Sequence, residues 1–426
     1  MLAFTFPGQG SQRSGMGRGW AGHPSWEVVD EASELTSRDI AHLLVEADEE
    51  ELKLTANAQL ATFVLGLVVL DAIERVGLAP TLCAGHSLGE YTALVASGAL
   101  GLEDGARLVV ERGEAMRQAS EERQGTMAAA LGADDDSVAS ACERAEGDVW
   151  IANYNAPGQV VIAGDPQAVA RAGELAKELG ARRVIPLQVA GAFHTPLMAP
   201  ARPLLRKALG DTRFGDPEVP VVANVDARVH TQAEDWPGLL SAQLCSPVRW
   251  RQSLDTLAKL GATMIVEVGP GGVLTALARR VLPESRAIAV GAPDDLDPLV
   301  DAVAGSDSWH AYSAAHQGEH LYTSDRVVVS PTNGVFQPMP ELDAPGPGEL
   351  RPAEPAPSWS ASPASPSSGS ASSGVVAVGD LLGHVGFEEV RTPFAGLLVA
   401  FLAHPGERVA PGQPVAWLRV GTGEAL

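Results

Sequence analysis

Apolar positions fall into two regimes along the chain. Up to about residue 290, short apolar runs alternate with longer helical-length stretches, which is the pattern of an α/β region. "LAFTFPGQGSQ" reads as a strand running into a Gly-rich loop. "AQLATFVLGLVVLDAIERVG" has helical length and reaches Gly77, a suitable C-cap. "TLCAGHS" is an apolar strand that meets Ser87, and "LGEYTALVASGAL" continues as a helix. A strand, a sharp turn holding a serine and a helix form the context that a nucleophile elbow requires.

Between residues 125 and 190 one pattern repeats. "TMAAAL", "VWIANYN", "QVVIAG" and "RRVIPLQVA" read as strands, with helices "DDSVASACERAE" and "DPQAVARAGELAKELG" between the first and last pairs. This βαββαβ order predicts a ferredoxin-like small subdomain. It is inserted in a large α/β subdomain made of 1–124 and 191–290, to which "ATMIVEVGPGGVL" adds a strand and a glycine turn. Residues 291–325 read as a connector. From 326 to 426 short β-rich runs separated by Gly/Pro turns predict a small all-β domain. Within it, 340–374 is rich in Pro, Ser, Ala and Gly and reads as a disordered linker.

Charge narrows the function classes. The net charge of −23 argues against nucleic acid, whose phosphates need a basic surface. Three cysteines among 426 residues argue against a disulfide framework and fit a reducing cytoplasm. "MLAFTFPGQG" lacks the basic start and long apolar run of a signal peptide. "ATFVLGLVVLDAI" reads as a buried helix, too short before its next charge to span a bilayer. Lysine is scarce, and none follows Lys259.

The chemistry centres on "AGHSLGE", where Ser87 lies between two glycines as G-x-S-x-G. Alone, that pattern also suits a tight turn into a helix. "GAFHTPLM" supplies His194 on a punctuated turn, and a hydroxyl needs such a base to become a nucleophile. "PGQGSQ" supplies Gln9, whose amide can donate to an oxyanion. Arg112 interrupts an amphipathic helix in "VVERGEAMRQ". These residues leave open an acyltransferase, a thioester hydrolase and a non-catalytic interaction protein. Taken alone, Arg112 reads as a surface charge on that helix. His310, His316 and His320 carry no accompanying Cys or carboxylate cluster, so a solvated connector is favoured there over a metal site.

"FPGQGSQ", "AGHSLGEY", "ERGEAM", "NAPGQVVIAG", "GAFHTPLM", "LCSPVRW" and "EVGPGGVL" occur in order over about residues 3 to 290. Together they resemble the malonyl-CoA:acyl carrier protein transacylases and the acyltransferase domains of polyketide synthases. The resemblance implies an α/β-hydrolase-like large subdomain. It implies Ser87 as the acylated nucleophile and His194 as its base, oriented by the backbone carbonyl of Gln243. It places the oxyanion on the N–H of Leu88 and on Gln9, and the acyl carboxylate on Arg112. Gln59, His86 and Phe193 would line the acyl pocket. It implies malonyl-CoA as donor, an acyl carrier protein as partner, no bound cofactor or metal, no membrane or nucleic-acid partner, and a monomer. Phe193 before the base histidine and Leu88 after the serine favour malonyl over methylmalonyl. Acidic carrier proteins need a locally basic docking face, for which "ARLVVERGEAMR" and "ARR" are candidates.

The tail resembles a biotinyl/lipoyl-type domain through "SPTNGVF", "VGDLLGHV" and "AGLLVAFLAHPGERVAPGQPVAWL". The carrier hairpin is replaced by "GFEEVRTP", and without a lysine neither biotin nor lipoate can be attached in the usual way. A degenerate barrel-sandwich-like fold is implied, with docking, active-site covering and simple stabilisation all open as roles.

Overall fold

The computed structural model describes residues 1–189, 191–304, 325–332, 334–340, 342, 375–376, 379–392, 396–409 and 413–419. The chain divides into two compact units, Met1–Ala72 with Pro80–Leu296, and Ile73–Ala79 with Asp297–Leu426.

In chain order the elements of the first part are β1 (Leu2–Phe6), α1 (Glu27–Thr36), α2 (Ile40–Val45), α3 (Glu49–Lys53), α4 (Thr55–Arg75), β2 (Leu82–Gly85), α5 (Gly89–Ala96) and α6 (Leu102–Glu122). Next come β3 (Thr126–Leu131), α7 (Asp135–Arg144), β4 (Val149–Ala156), β5 (Gln159–Gly164), α8 (Pro166–Glu178) and β6 (Arg183–Pro186). They are followed by α9 (Arg202–Gly210), β7 (Val221–Val222), β8 (Val229–His230), α10 (Trp236–Gln243), α11 (Trp250–Lys259), β9 (Met264–Val268), α12 (Val273–Val281), β10 (Arg286–Val290) and α13 (Leu296–Ala304).

The larger sheet has the order β10-β9-β1-β2-β7-β8 and is parallel except for the last pair. β1, β2 and β9 are buried along their whole length, as central strands covered on both faces must be. Because β1 and β2 are parallel with Phe6 opposite Gly85, the Gln9 loop and the Ser87 turn leave the same edge of the sheet. That carboxyl edge is where open α/β sheets place ligands.

β3 to β6 form a separate antiparallel sheet in the order β4-β5-β3-β6. α7 and α8 contribute Val138, Ala141, Val169 and Leu175 to a core that includes Ile151 and Ile162. β4 and α7 are tied to the rest of their unit: the N–H of Tyr154 on β4 donates to the Val248 carbonyl at 2.9 Å, and Arg251 makes a two-pronged pair with Asp135 on α7 at 3.1 and 2.6 Å.

Three sequence expectations change. α4 runs for 21 residues, so length does not exclude a bilayer span; what does is that 89% of its apolar window is buried in the protein. The last strand of the small sheet stops at Pro186 instead of running through "LQVA". The 291–325 connector contains a 3-10 turn, Pro293–Asp295, followed by α13. His310, His316, His320 and most of 340–374 lie outside the described residues.

In the second unit, β11 (Asp325–Val329), β12 (Gly334–Pro338), β13 (Val375–Val376), β14 (Leu381–Val385), β15 (Glu388–Arg391), β16 (Gly396–Phe401), β17 (Arg408–Val409) and β18 (Pro414–Arg419) form two four-stranded sheets. Their orders are β11-β18-β16-β13 and β15-β14-β12-β17. Phe336, Leu382, Val385, Leu398, Val415 and Leu418 share a buried core. The β14–β15 turn is Gly386-Phe387, and the Phe387 side chain is fully exposed.

Candidate active site

Ser87 occupies the turn between β2 and α5 with a φ of 55°, a left-handed conformation that a non-glycine residue adopts only when its surroundings enforce it. The flanking glycines make the turn possible by close approach. A Cβ on Gly85 would overlap the Gly89 carbonyl, and one on Gly89 would overlap the carbonyl of Phe6. Asn224 then grips the turn from outside. Its Oδ1 accepts the Ser87 N–H at 2.7 Å and its Nδ2 donates to the Gly85 carbonyl at 2.6 Å.

His194, also in the left-handed region at φ 62°, is buried. Its Nε2 lies 2.7 Å from Ser87 Oγ and its Nδ1 lies 2.9 Å from the main-chain oxygen of Gln243. A carbonyl can only accept, so Nδ1 carries the proton and Nε2 is left to take the one on Ser87. Burial first, and the charge of Arg112 second, press the His194 pKa down to about 3. The imidazole is therefore neutral and able to act as a base at any ordinary pH.

Arg112 projects from α6 and is almost wholly buried. Its Nη1 donates to Gln59 Oε1 at 2.6 Å, and its Nη2 donates to Gln243 Oε1 at 3.0 Å and to Ser87 Oγ at 3.1 Å. Its Cζ stands 5.4 Å from the centre of the Tyr91 ring, and its Nε has no hydrogen-bond partner among the described residues. Among the described residues this buried guanidinium is held by neutral oxygens and has no direct counter-ion, and such a site favours an incoming carboxylate.

Ser87, His194, Arg112, Gln243 and Gln59 thus form one hydrogen-bonded group. His86 stands outside it: its Nε2 meets Asn155 Oδ1 at 3.0 Å, and its ring packs edge-on against Trp250. Leu88 sits at the start of α5, where helix N–H groups lack intrahelical acceptors. Gln9 is half-buried on the loop after β1. That loop lies tight against the elbow, since a Cβ on Gly8 would overlap the His86 carbonyl. Phe193 is buried next to His194.

Sequence reasoning missed Glu90, Asn224, Asn155 and Tyr91. Glu90 alone left a signal, as the one ionisable acid in an otherwise apolar helix. Asn224 in "VVANVD" left none.

The acyl transferase domain family matches residues 3–305. A malonyl CoA-acyl carrier protein transacylase of Bacillus subtilis is 43% identical over 307 residues, covering 71% of this chain and 97% of the relative. The crystal structure of a malonyl-CoA:acyl carrier protein transacylase from Xanthomonas oryzae pv. oryzae matches with a TM-score of 0.68 at 43% identity, over 71% of this chain and 98% of its own. A malonyl-transacylase solved in complex with a type II polyketide synthase acyl carrier protein matches with a TM-score of 0.69 at 39% identity, over 71% and 99% of the two chains. With the serine elbow, the paired histidine and the buried arginine in place, this chain belongs to the acyl transferase domain family and is similar over that span to the malonyl-CoA:acyl carrier protein transacylases.

Proposed function

We propose that the protein moves a malonyl group from malonyl-CoA to the phosphopantetheine thiol of an acyl carrier protein, through a malonyl ester on Ser87. The observation that carries this reading is Arg112. Its buried charge stands 3.1 Å from the nucleophile oxygen and has no direct counter-ion among the described residues, which suits an acyl group ending in a carboxylate.

In the first half-reaction the Ser87 oxygen attacks the thioester carbonyl while its proton passes to His194 Nε2. The oxyanion is received by the Leu88 N–H and Gln9. The C–S bond breaks and the CoA thiolate takes the proton from His194. In the second half-reaction the carrier thiol gives its proton to His194 and attacks the ester carbonyl, the bond between the acyl carbon and Ser87 Oγ breaks, and the Ser87 oxygen takes the proton back from His194. Gln243 orients His194 through its main chain. Gln59 holds Arg112 from the other side, and His86 and Phe193 shape the acyl pocket. Phe193 leaves less room for an α-methyl, which favours malonyl over methylmalonyl. No cofactor or metal enters these steps, and the reading places the protein in the cytoplasm as a monomer.

The order β4-β5-β3-β6 supports a ferredoxin-like small subdomain set into an α/β-hydrolase-like large one. In the second unit, the pairing of its first and last strands supports a barrel-sandwich-like domain. The two-residue turn at Gly386-Phe387 stands in place of a carrier hairpin, and no lysine follows Lys259 to hold biotin or lipoate.

The test is intact mass after incubation with malonyl-CoA, methylmalonyl-CoA or acetyl-CoA, with Ser87→Ala as control. A stable malonyl adduct that the control lacks is expected. Release of CoA without an adduct would replace transfer by hydrolysis.

A further inference from the structure

Glu90 is buried one turn beyond Ser87, and its two oxygens reach two different segments. Oε1 accepts the main-chain N–H of Asn224 at 2.7 Å, and Oε2 accepts Nε2 of Gln243. Asn224 holds both sides of the serine turn, as described above. Gln243 Nε2 also donates to the Ser87 carbonyl at 2.8 Å. Every neighbour of that amide nitrogen is an acceptor, and the neighbour of its oxygen is the donor Nη2 of Arg112. The sense of the Gln243 amide is therefore fixed, and the Glu90 carboxylate, as an acceptor beside the Ser87 carbonyl, is the side chain that helps to fix it.

We propose that Glu90 is a positioning residue for acyl transfer: by holding the Gln243 amide with its oxygen toward Arg112, it sets the guanidinium that receives the acyl carboxylate. The inference rests on the acyl-transfer reading and deepens it. Glu90 touches neither substrate nor nucleophile oxygen. It acts through Gln243 on Arg112, and through Asn224 on the elbow.

The decisive variant is Glu90→Gln, which keeps shape and removes one acceptor. Its amide nitrogen would face Gln243 Nε2 or the Asn224 N–H. With that nitrogen toward Gln243, relief requires Gln243 to turn its own NH2 toward Arg112, donor against donor. Malonyl needs the Arg112 receptor and acetyl does not. The initial rate of Ser87 acylation by malonyl-CoA relative to acetyl-CoA is therefore expected to drop roughly ten- to hundredfold, the range for losing a bond to a charged group. A role confined to folding would lower the two rates together along with the melting temperature, and that result, or an unchanged ratio, overturns the proposal. Binding of free malonate to the Ser87→Ala protein, with and without E90Q, gives a readout that needs no turnover: E90Q is expected to weaken it, and equal binding overturns the proposal. A wild-type protein that takes no malonyl would sink the acyl-transfer reading, while the malonate comparison still decides the role of Glu90. Should E90Q fail to fold, Gln243→Leu is expected to show the same fall in ratio and in malonate binding, and unchanged values would overturn the proposal.

Discussion

The main-chain oxygen of Gln243 stands 2.9 Å from Nδ1 of His194, in the position where a Ser-His-Asp triad puts a buried carboxylate. A carbonyl fixes the tautomer as well as a carboxylate does, but brings no negative charge to an imidazolium. Arg112 beside it adds a positive charge, and together with burial this leaves His194 a weak base near pKa 3. A carboxylate arriving on Arg112 would offset that charge and raise the basicity of His194. Under the proposed function, substrates that carry a carboxylate would thus strengthen the base that activates the nucleophile.

Arg112→Lys removes the forked donor while keeping a charge. Acylation by malonyl-CoA is expected to fall about a hundredfold, since a lysine cannot reproduce two parallel bonds to a carboxylate. Acylation by acetyl-CoA is expected to change much less. Rapid-quench measurement of both rates checks this, and equal losses would remove the carboxylate-receptor role.

The pH profile separates two groups. Burial pushes the Glu90 carboxyl up to about 7, with Asp226 adding to the rise and the Asn224 N–H, Gln243 and Arg112 opposing it. Among the elements packed on α5, α6 supplies Arg112, whereas β1 and β2 carry no charged side chain and only the Cys83 thiol as a titratable group. Below about 7 Glu90 is protonated and loses an acceptor; above it the full clamp is present. His194 is already neutral throughout this range. kcat/KM for malonyl-CoA is therefore expected to rise with pH through about 7, and E90Q is expected to abolish that limb. A limb that persists in E90Q would assign it elsewhere.

Ser87 and His194 stand out in the sequence because each sits in a short, punctuated segment whose chemistry is local, whereas Arg112, midway along the 21-residue α6, stands out only through the family resemblance. Glu90 shows in the sequence only as the lone acid of an apolar helix, and its role does not show, since an acid in the first turn of a helix reads as a favourable partner of the helix dipole at the surface. Its burial against Asn224 and Gln243, which lie 134 and 153 residues away, exists only after folding. α13 is hidden for a related reason. Its aspartates and proline make "PDDLDPLVDAVA" look like loop, while Leu299, Ala302 and Val303 bury one face.

Glu267 accounts for the "EVGPGGVL" stretch. Fully buried at the end of β9, it accepts the N–H groups of Gly272 at 3.2 Å, Leu274 at 3.1 Å and Thr275 at 2.7 Å, closing the start of α12. In Glu267→Gln one oxygen becomes a donor facing donors, a cost of about 1–3 kcal/mol. Thermal unfolding is expected to shift down by about 2–12 °C on that basis. A shift under one degree would show that another group takes over the cap.

Docking of an acidic carrier protein needs cations that are not already spent. On α6, Arg107 is paired with Glu103 and Asp104, and Arg117 with Glu114 and Glu121, so this arginine-bearing helix is neutralised by its own carboxylates. Arg182 and Arg183 are exposed and make no ion pair with a described residue. The double reversal Arg182→Glu/Arg183→Glu is expected to slow malonyl transfer to a carrier protein at least fivefold at low salt while leaving Ser87 self-acylation by malonyl-CoA unchanged. The effect is expected to shrink as salt screens the surface charges. Steady-state transfer and intact-mass acylation, measured side by side, check it, and equal loss of both would mean that these arginines support the small sheet instead of the partner.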